Sequence, residues 1–268
     1  MYEGVLKKML VEGTTPIQYF LKINPGFVHL NQCLDSDISL EWIGTECLHC
    51  GSQSPLFRQG FCKRCFFESP AAGAWIMRPE LSKAHLNEVD RDLSYEKQMQ
   101  LQPHVVYLAL SSHLKVGVTR KKQLPTRWID QGAQQAVELL EVPNRYLAGV
   151  AEVALKAIFS DKTNWRQMLK NQTTTIHWED EVERALDYMP NDLKPYIKKP
   201  QSTPLAFNYP VVQYPNKPVS LNLTKTPKYQ GKLVGIKGQY LLFEDQTVFN
   251  VRSNEGMVVR LGVQPKKH

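Results

Sequence analysis

No stretch of the chain strings together the roughly 18 apolar residues that a membrane helix needs. The N-terminus mixes Glu3, Lys7 and Lys8 into its apolar residues, so it lacks the hydrophobic segment of a secretory leader. These two absences predict an intracellular, cytoplasmic chain without a membrane partner. Cysteine is scarce: there are five in 268 residues, four of them in two Cys-x-x-Cys pairs, which leaves Cys33 alone. In a reducing compartment such pairs hold metal more often than they form disulfides. Carboxylates are the minority charge, with 26 Asp and Glu against 33 Lys and Arg, a formal net charge of +7. That balance suits a polyanion such as DNA or RNA, although a solvated basic surface accounts for it equally well. The length allows one large domain or two to three small ones.

The two pairs, Cys47-Leu48-His49-Cys50 and Cys62-Lys63-Arg64-Cys65, stand eleven residues apart. A Cys-x-x-Cys turn sets two thiolates on one side of a tight loop, and a facing turn completes a tetrahedron around zinc at about 2.3 Å per sulfur. A redox pair or four unrelated thiols are the competing readings; the doubled spacing favours zinc held by Cys47, Cys50, Cys62 and Cys65. With sulfur at all four positions, the site is expected to be closed and structural. His49, inside the first knuckle, is a bystander.

Residues 1–45 read as β-structure, with strands at Ile17–Ile23, Phe27–Leu30 and Ile38–Trp42 and a turn at Asn24-Pro25-Gly26. Tyr2-x-Gly4-x-Leu6 and Gln18-Tyr19-x-Leu21 return near the C-terminus as Tyr229-x-Gly231-x-Leu233 and Gln239-Tyr240-x-Leu242. The echo suggests a duplicated β-unit, 1–45 and 228–268, whose copies meet in one small barrel or sandwich. Residues 46–103 form the zinc ribbon and a connector. In that connector Trp75–Leu81 is expected to pack on the ribbon, and the polar stretch Leu86–Leu101 to lie on the surface; His85 supports the ribbon or is satisfied locally. Glu179–Met189 reads as a solvated helix. Eight prolines, at positions 190, 195, 200, 204, 210, 215, 218 and 227, make 190–227 an extended strap with no internal helix.

The chemistry-bearing stretch is 104–189. Two β-rich runs, His104–Leu110 and Leu114–Val118, flank the polar turn Ser111-Ser112 and predict a hairpin. A helix opened by Pro125, a strand at Ala136–Val142 and a helix over Asn144–Phe159 with Asn144 as its N-cap follow. This order, with Val105-Val106-Tyr107 as a first tripeptide and Lys115-Val116-Gly117 as a second, then Thr119, Arg127 and Glu152, resembles the GIY-YIG endonuclease superfamily. The chain is also similar to a bacterial family in which a two-knuckle zinc ribbon precedes a VYLA, KVGVTR and RW-x-DQGA core. It departs from the GIY-YIG pattern in having Lys115 where the second tripeptide's tyrosine is expected and Val105-Val106 in place of Gly-Ile. Asn164 is the candidate for the asparagine that often closes such a site. The fold class that follows is α+β: a GIY-YIG-like mixed βαβα core, a four-cysteine zinc ribbon, and a small barrel or sandwich from the two termini.

The resemblance implies a nucleic-acid-processing protein, a metal-dependent endonuclease that hydrolyses phosphodiesters; the alternative is a non-catalytic nucleic-acid-binding or assembly module on the same fold. Hydrolysis needs a nucleophilic water, a cation for the charge growing on phosphate, and a proton for the leaving oxygen. Glu152 is the implied anchor for Mg²⁺ or Mn²⁺, and Ala148 and Gly149 beside it are read as an open notch through which a ligand reaches it. Arg127 offers a planar fork to phosphate oxygens. Tyr107 contacts or activates the water, with Lys115 lowering its pKa or binding phosphate. Gly117 permits a close backbone approach, and Thr119 orients Arg127 or caps the turn. His104 and His113 flank the hairpin as candidate proton carriers, and Arg120, Lys121 and Lys122 are candidate contacts to the nucleic-acid backbone. Each has a bland alternative: Tyr107 as an ordinary strand residue, Arg127 and Glu152 as a structural ion pair, Gly117 as packing alone.

Overall fold

The computed structural model of the chain describes residues 1–13, 15–172, 174–198 and 203–264. The chain forms two units. The first comprises Met1–Phe67, Leu169–Asn171 and the chain from Phe207 onward, and the second Glu68–Met168 and Gln172–Ala206. Unit 1 begins with β1 (Tyr2–Val5), β2 (Leu10–Glu12), β3 (Gln18–Ile23), β4 (Gly26–His29) and β5 (Asp37–Thr45). Alternation along β3 buries Tyr19, Leu21 and Ile23, and β2, β3 and β4 pair as a small antiparallel sheet turned at Asn24-Pro25. A short hairpin, β6 (Leu56–Arg58) and β7 (Phe61–Cys62), leads into α1 (Lys63–Glu68).

Unit 2 contains a helix that its polar sequence disguises, α2 (Leu93–Gln100). Asp92 caps it by accepting the Tyr95 amide at 2.9 Å. The buried carboxylate of Glu96 accepts three more amides, from Asp90, Arg91 and Asp92, at 2.7 to 3.0 Å. The stretch is therefore not simply surface: buried Glu96 and Gln100 tie it down. Next come β8 (His104–Leu110) and β9 (Leu114–Arg120), the expected hairpin, then α3 (Thr126–Asp130), β10 (Gln135–Val142) and α4 (Arg145–Leu155). Asn144 caps α4 through the Leu147 amide at 2.9 Å. This helix stops earlier than its sequence predicts, and residues 156–159 continue as single hydrogen-bonded turns. The unit ends with α5 (Trp165–Leu169), whose last residue is counted with unit 1, then α6 (Trp178–Asp187) and β11 (Leu205–Ala206).

The four-stranded sheet of unit 2 runs β11-β10-β8-β9, antiparallel throughout. Every residue of β8 is buried, which is why its sequence is an unbroken apolar run instead of an alternation. Ala148, Ala151 and Leu155 of α4 pack on Val106, Leu108, Val116 and Val118 of the hairpin. Residues 190–227, predicted to hold no helix, contain a 3₁₀ helix at Asn191–Tyr196. Pro195 is tolerated there because the bonds formed, Leu193 N–H to Pro190 O and Ile197 N–H to Lys194 O, ask no donor of it. Pro200 lies outside the described residues.

Back in unit 1, β12 (Val219–Ser220), β13 (Lys228–Lys237), β14 (Tyr240–Phe243), β15 (Thr247–Asn250) and β16 (Met257–Gln264) complete a seven-stranded sheet in the order β1-β16-β5-β13-β14-β15-β12. Its centre is symmetric: Tyr2 faces Leu261, Leu261 faces Leu40, and Leu40 faces Tyr229. The first strand of each echoed segment thus pairs with the last strand of the other. The sheet is not a closed barrel, because β1 lies at one edge and two-residue β12 at the other, with no pairing between them among the described residues. No helix among the described residues is long and apolar enough to cross a membrane.

Lys237, at the end of β13, is sealed in unit 1. Its Nζ donates to Asn171 Oδ1 at 2.8 Å and lies 5.4 and 5.6 Å from the ring centroids of Tyr209 and Tyr214. Burial brings its pKa down to about 7. The folded state then binds fewer protons than the unfolded state between pH ~7 and ~10.5, so this group's contribution to stability rises with pH across that window. Lys237→Met is expected to flatten that rise, read from melting temperatures at pH 7, 8, 9 and 10; an unchanged slope would contradict the assignment.

Candidate functional site

The first knuckle is shaped by backbone bonds. The Cys47 amide donates to Ser52 O at 2.8 Å, and the Gly51 amide to Cys47 O at 2.9 Å, with Gly51 at φ +70° where an L side chain would be strained. Hairpin β6–β7 and the start of α1 bring up Cys62 and Cys65. The four sulfurs lie within 4.8 Å of one another, and the Cys62 amide points at Cys47 Sγ from 3.3 Å. Sulfurs at the corners of a zinc tetrahedron stand about 3.8 Å apart, so the cysteines lie close enough to form a zinc site. Burial and the three neighbouring sulfurs push the Cys65 thiol up to about 12, while hydrogen bonds from Ser52 bring Cys50 down to about 6. A divalent cation supplies the counter-charge that four crowded sulfurs lack. His49 lies near Phe61 with the rings tilted and takes no place in the cluster; Cys33 is buried elsewhere, with its thiol raised by burial.

The second group of residues lies in unit 2. Tyr107, at the middle of β8, is fully buried; its hydroxyl accepts a hydrogen bond from Gln131 Nε2 at 2.9 Å, and its ring meets Trp128 edge-on. Burial raises its pKa, against the pull of the Arg127 guanidinium and the Gln131 bond, while the charge of Glu152 adds to the rise. Gly117 faces Tyr107 across the hairpin, and a Cβ there would stand 2.6 Å from the phenol oxygen. Lys115 on β9 is also buried and donates to Thr163 Oγ1 at 2.6 Å; burial and the charge of Arg127 bring it down to about 7. Arg127, on α3, is half-buried.

Glu152 is where the sequence misleads. The notch at Ala148 and Gly149 is not open: a Cβ on Gly149 would overlap the backbone of Pro79 and Glu80, which fills the space. Arg145 fastens the same passage, donating to Trp75 O at 3.0 Å and Ile76 O at 2.7 Å. The Trp75–Leu81 stretch thus packs on α4, and Glu152 is left 8% exposed. Its pKa is raised by burial, with Lys156 and Arg145 pulling the other way. Lys156 Nζ sits 3.5 Å from Glu152 Oε2 and 3.3 Å from Asp161, and Oε2 accepts no hydrogen bond.

The flanking candidates do other work. Arg120 turns inward to Gln123 and Met99, Lys121 pairs with Glu141 at 2.9 Å, and Lys122 is exposed. Thr119 donates to Gln123, and Asn164 accepts the Gln167 amide, capping α5. Ser112 Oγ lies 3.0 Å from Nδ1 of His113. His104 is sealed, its Nδ1–H donating to Gln102 O at 2.7 Å, and burial brings it down to about 4, so it stays neutral at physiological pH. Gln131, which lies in the RW-x-DQGA stretch but carries no predicted role, joins the cluster, as do Arg145, Lys156, Asp161 and Thr163, for which the sequence offers no motif.

Atomic absorption on purified protein is expected to find one zinc per chain, falling to near zero in Cys62→Ser; metal-free protein with an intact ribbon would contradict the site. Gly149→Val, which drives a side chain into backbone, is expected to cost about 2–3 kcal/mol in urea unfolding. A near-neutral result would mean that the passage is not held there.

No curated protein and no solved structure gives a significant match to the chain. Residues 35–259, most of its length, match the family described as Protein of unknown function (DUF2797). The chain, with its four-cysteine cluster and its mixed α and β units, belongs to that family.

Proposed function

We propose that the chain acts on nucleic acid through unit 2, whose hairpin, α3, β10 and α4 are read as a GIY-YIG-like core, and that it hydrolyses phosphodiester bonds. One observation carries this reading. The Arg127 guanidinium acts electrostatically on the buried Tyr107 phenol, the buried Lys115 ammonium and the Arg145 guanidinium, so several cationic side chains stand close together in unit 2. Buried positive charge without its counter-charge is costly, and a phosphate would supply it. Arg127 would hold non-bridging phosphate oxygens. Tyr107, its pKa raised, stays protonated at neutral pH and orients the attacking water with Gln131 instead of serving as a phenolate base. Lys115, brought down to about 7, is the group able to move a proton near neutral pH. Glu152 and Asp161, both facing the Lys156 ammonium, fit a divalent cation that would replace it. When bound, magnesium or manganese would neutralise charge growing on the phosphate.

The burial of Glu152 beneath the Pro79–Glu80 passage favours a second reading, a platform that binds nucleic acid without cutting it. The full-length, zinc-loaded protein separates the two in a cleavage assay with Mg²⁺ or Mn²⁺ on single-stranded, double-stranded and branched DNA and on RNA. Hydrolysis predicts products that vanish in Glu152→Gln, fall about a hundredfold or more in Tyr107→Phe, and show an inflection near pH 7 that is lost in Lys115→Arg. No cleavage of any substrate, with binding that survives both variants and weakens steeply with salt, leaves the platform. Neither cleavage nor binding would overturn both.

A further inference from the structure

Outside the metal cluster, the ribbon of unit 1 carries an aromatic surface that the unit 2 site does not use. Phe57 and Phe67 are 43% and 56% exposed, and Phe66 is half-buried beside them. The three rings touch pairwise with centroids 5.3 to 5.7 Å apart. Exposed phenylalanines cost solvation, and three together on a small ribbon form a contiguous apolar patch, not scattered single residues. Cations frame it. The Arg58 guanidinium lies 5.4 Å from the Phe57 centroid and 6.0 Å from that of Phe66, and Lys63 and Arg64 are exposed on the adjoining helix. Between Glu46 and Glu68 the sequence has these three cations and no carboxylate. Phe57 sits on β6, which pairs with β7, and Phe66 and Phe67 sit on α1; Cys62 of β7 and Cys65 of α1 belong to the same cysteine cluster.

We infer that this triad is a stacking platform for single-stranded nucleic acid, with bases laid on the Phe57 and Phe67 rings and phosphates met by Arg58, Lys63 and Arg64. A ring face accepts any base, so the platform is tolerant of sequence, while the cations account for the backbone. A purely apolar partner would make no use of the exposed Lys63 ammonium beside the rings. The inference shares the ligand class of the proposed function but none of its residues, so the two fail separately.

The test is fluorescence anisotropy with labelled 12-mers of deoxythymidine and uridine on full-length, zinc-loaded protein. Phe57→Leu/Phe67→Leu keeps the apolar volume and removes the ring faces, and is expected to weaken binding roughly tenfold or more with zinc content unchanged. An abasic 12-mer, which keeps the phosphates, is expected to bind wild type as weakly as the intact oligomer binds the double variant. Equal affinity for abasic and intact strands would reduce the site to electrostatics and overturn the platform. So would oligonucleotide binding that ignores the double substitution, or none at all, whether the patch instead sediments with anionic vesicles or drives dimerisation that Phe57→Leu/Phe67→Leu abolishes.

Discussion

Burying charge on a strand that has no water to dissolve it is the constraint from which the central part of this protein follows. β8 is covered on both faces, yet β8, β9, α3 and α4 carry a phenol, an ammonium, a guanidinium and a carboxylate towards the same region of unit 2. Tyr107 takes a bond from Gln131, Lys115 gives one to Thr163 and Glu152 leans on Lys156, while Arg145, on α4, gives bonds to two backbone carbonyls. These arrangements hold the groups in place, and on the proposed reading the cations among them would meet a phosphate.

The price of that arrangement is access. Gly149 admits the Pro79–Glu80 backbone against α4, which fixes Glu152 by covering it. A carboxylate so placed has a raised pKa and an ammonium where a metal ion would go. On the proposed reading, cleavage would depend on Lys156 giving way, whereas binding of nucleic acid through Arg127 would ask for no such displacement.

Some of this is written locally and some is not. The cysteine cluster was readable because its four positions fall within nineteen residues and the chemistry admits few substitutes. The β8–β9 hairpin and the Asn144 cap are also local, fixed by a polar turn and by a side chain three residues from the amide that donates to it. The notch at Gly149 was misread because what fills it comes from seventy residues upstream, and small residues on a helix look the same whether they admit a ligand or another backbone. Helix α2 escaped because it is held by amides bonded to Glu96 and not by an apolar stripe. The echo between the termini predicted that the ends meet, but not the symmetric register about Leu40 and Leu261 or the open edges, which depend on pairing across more than two hundred residues.

The central claim, that Arg127 and its neighbours form a phosphate-handling site, is tested most directly by isothermal titration of a non-hydrolysable phosphorothioate dinucleotide into the zinc-loaded protein and its Arg127→Ala variant. The account predicts binding that weakens roughly tenfold or more in the variant and falls with added salt. Equal affinity in both proteins, or no binding to either, would contradict it.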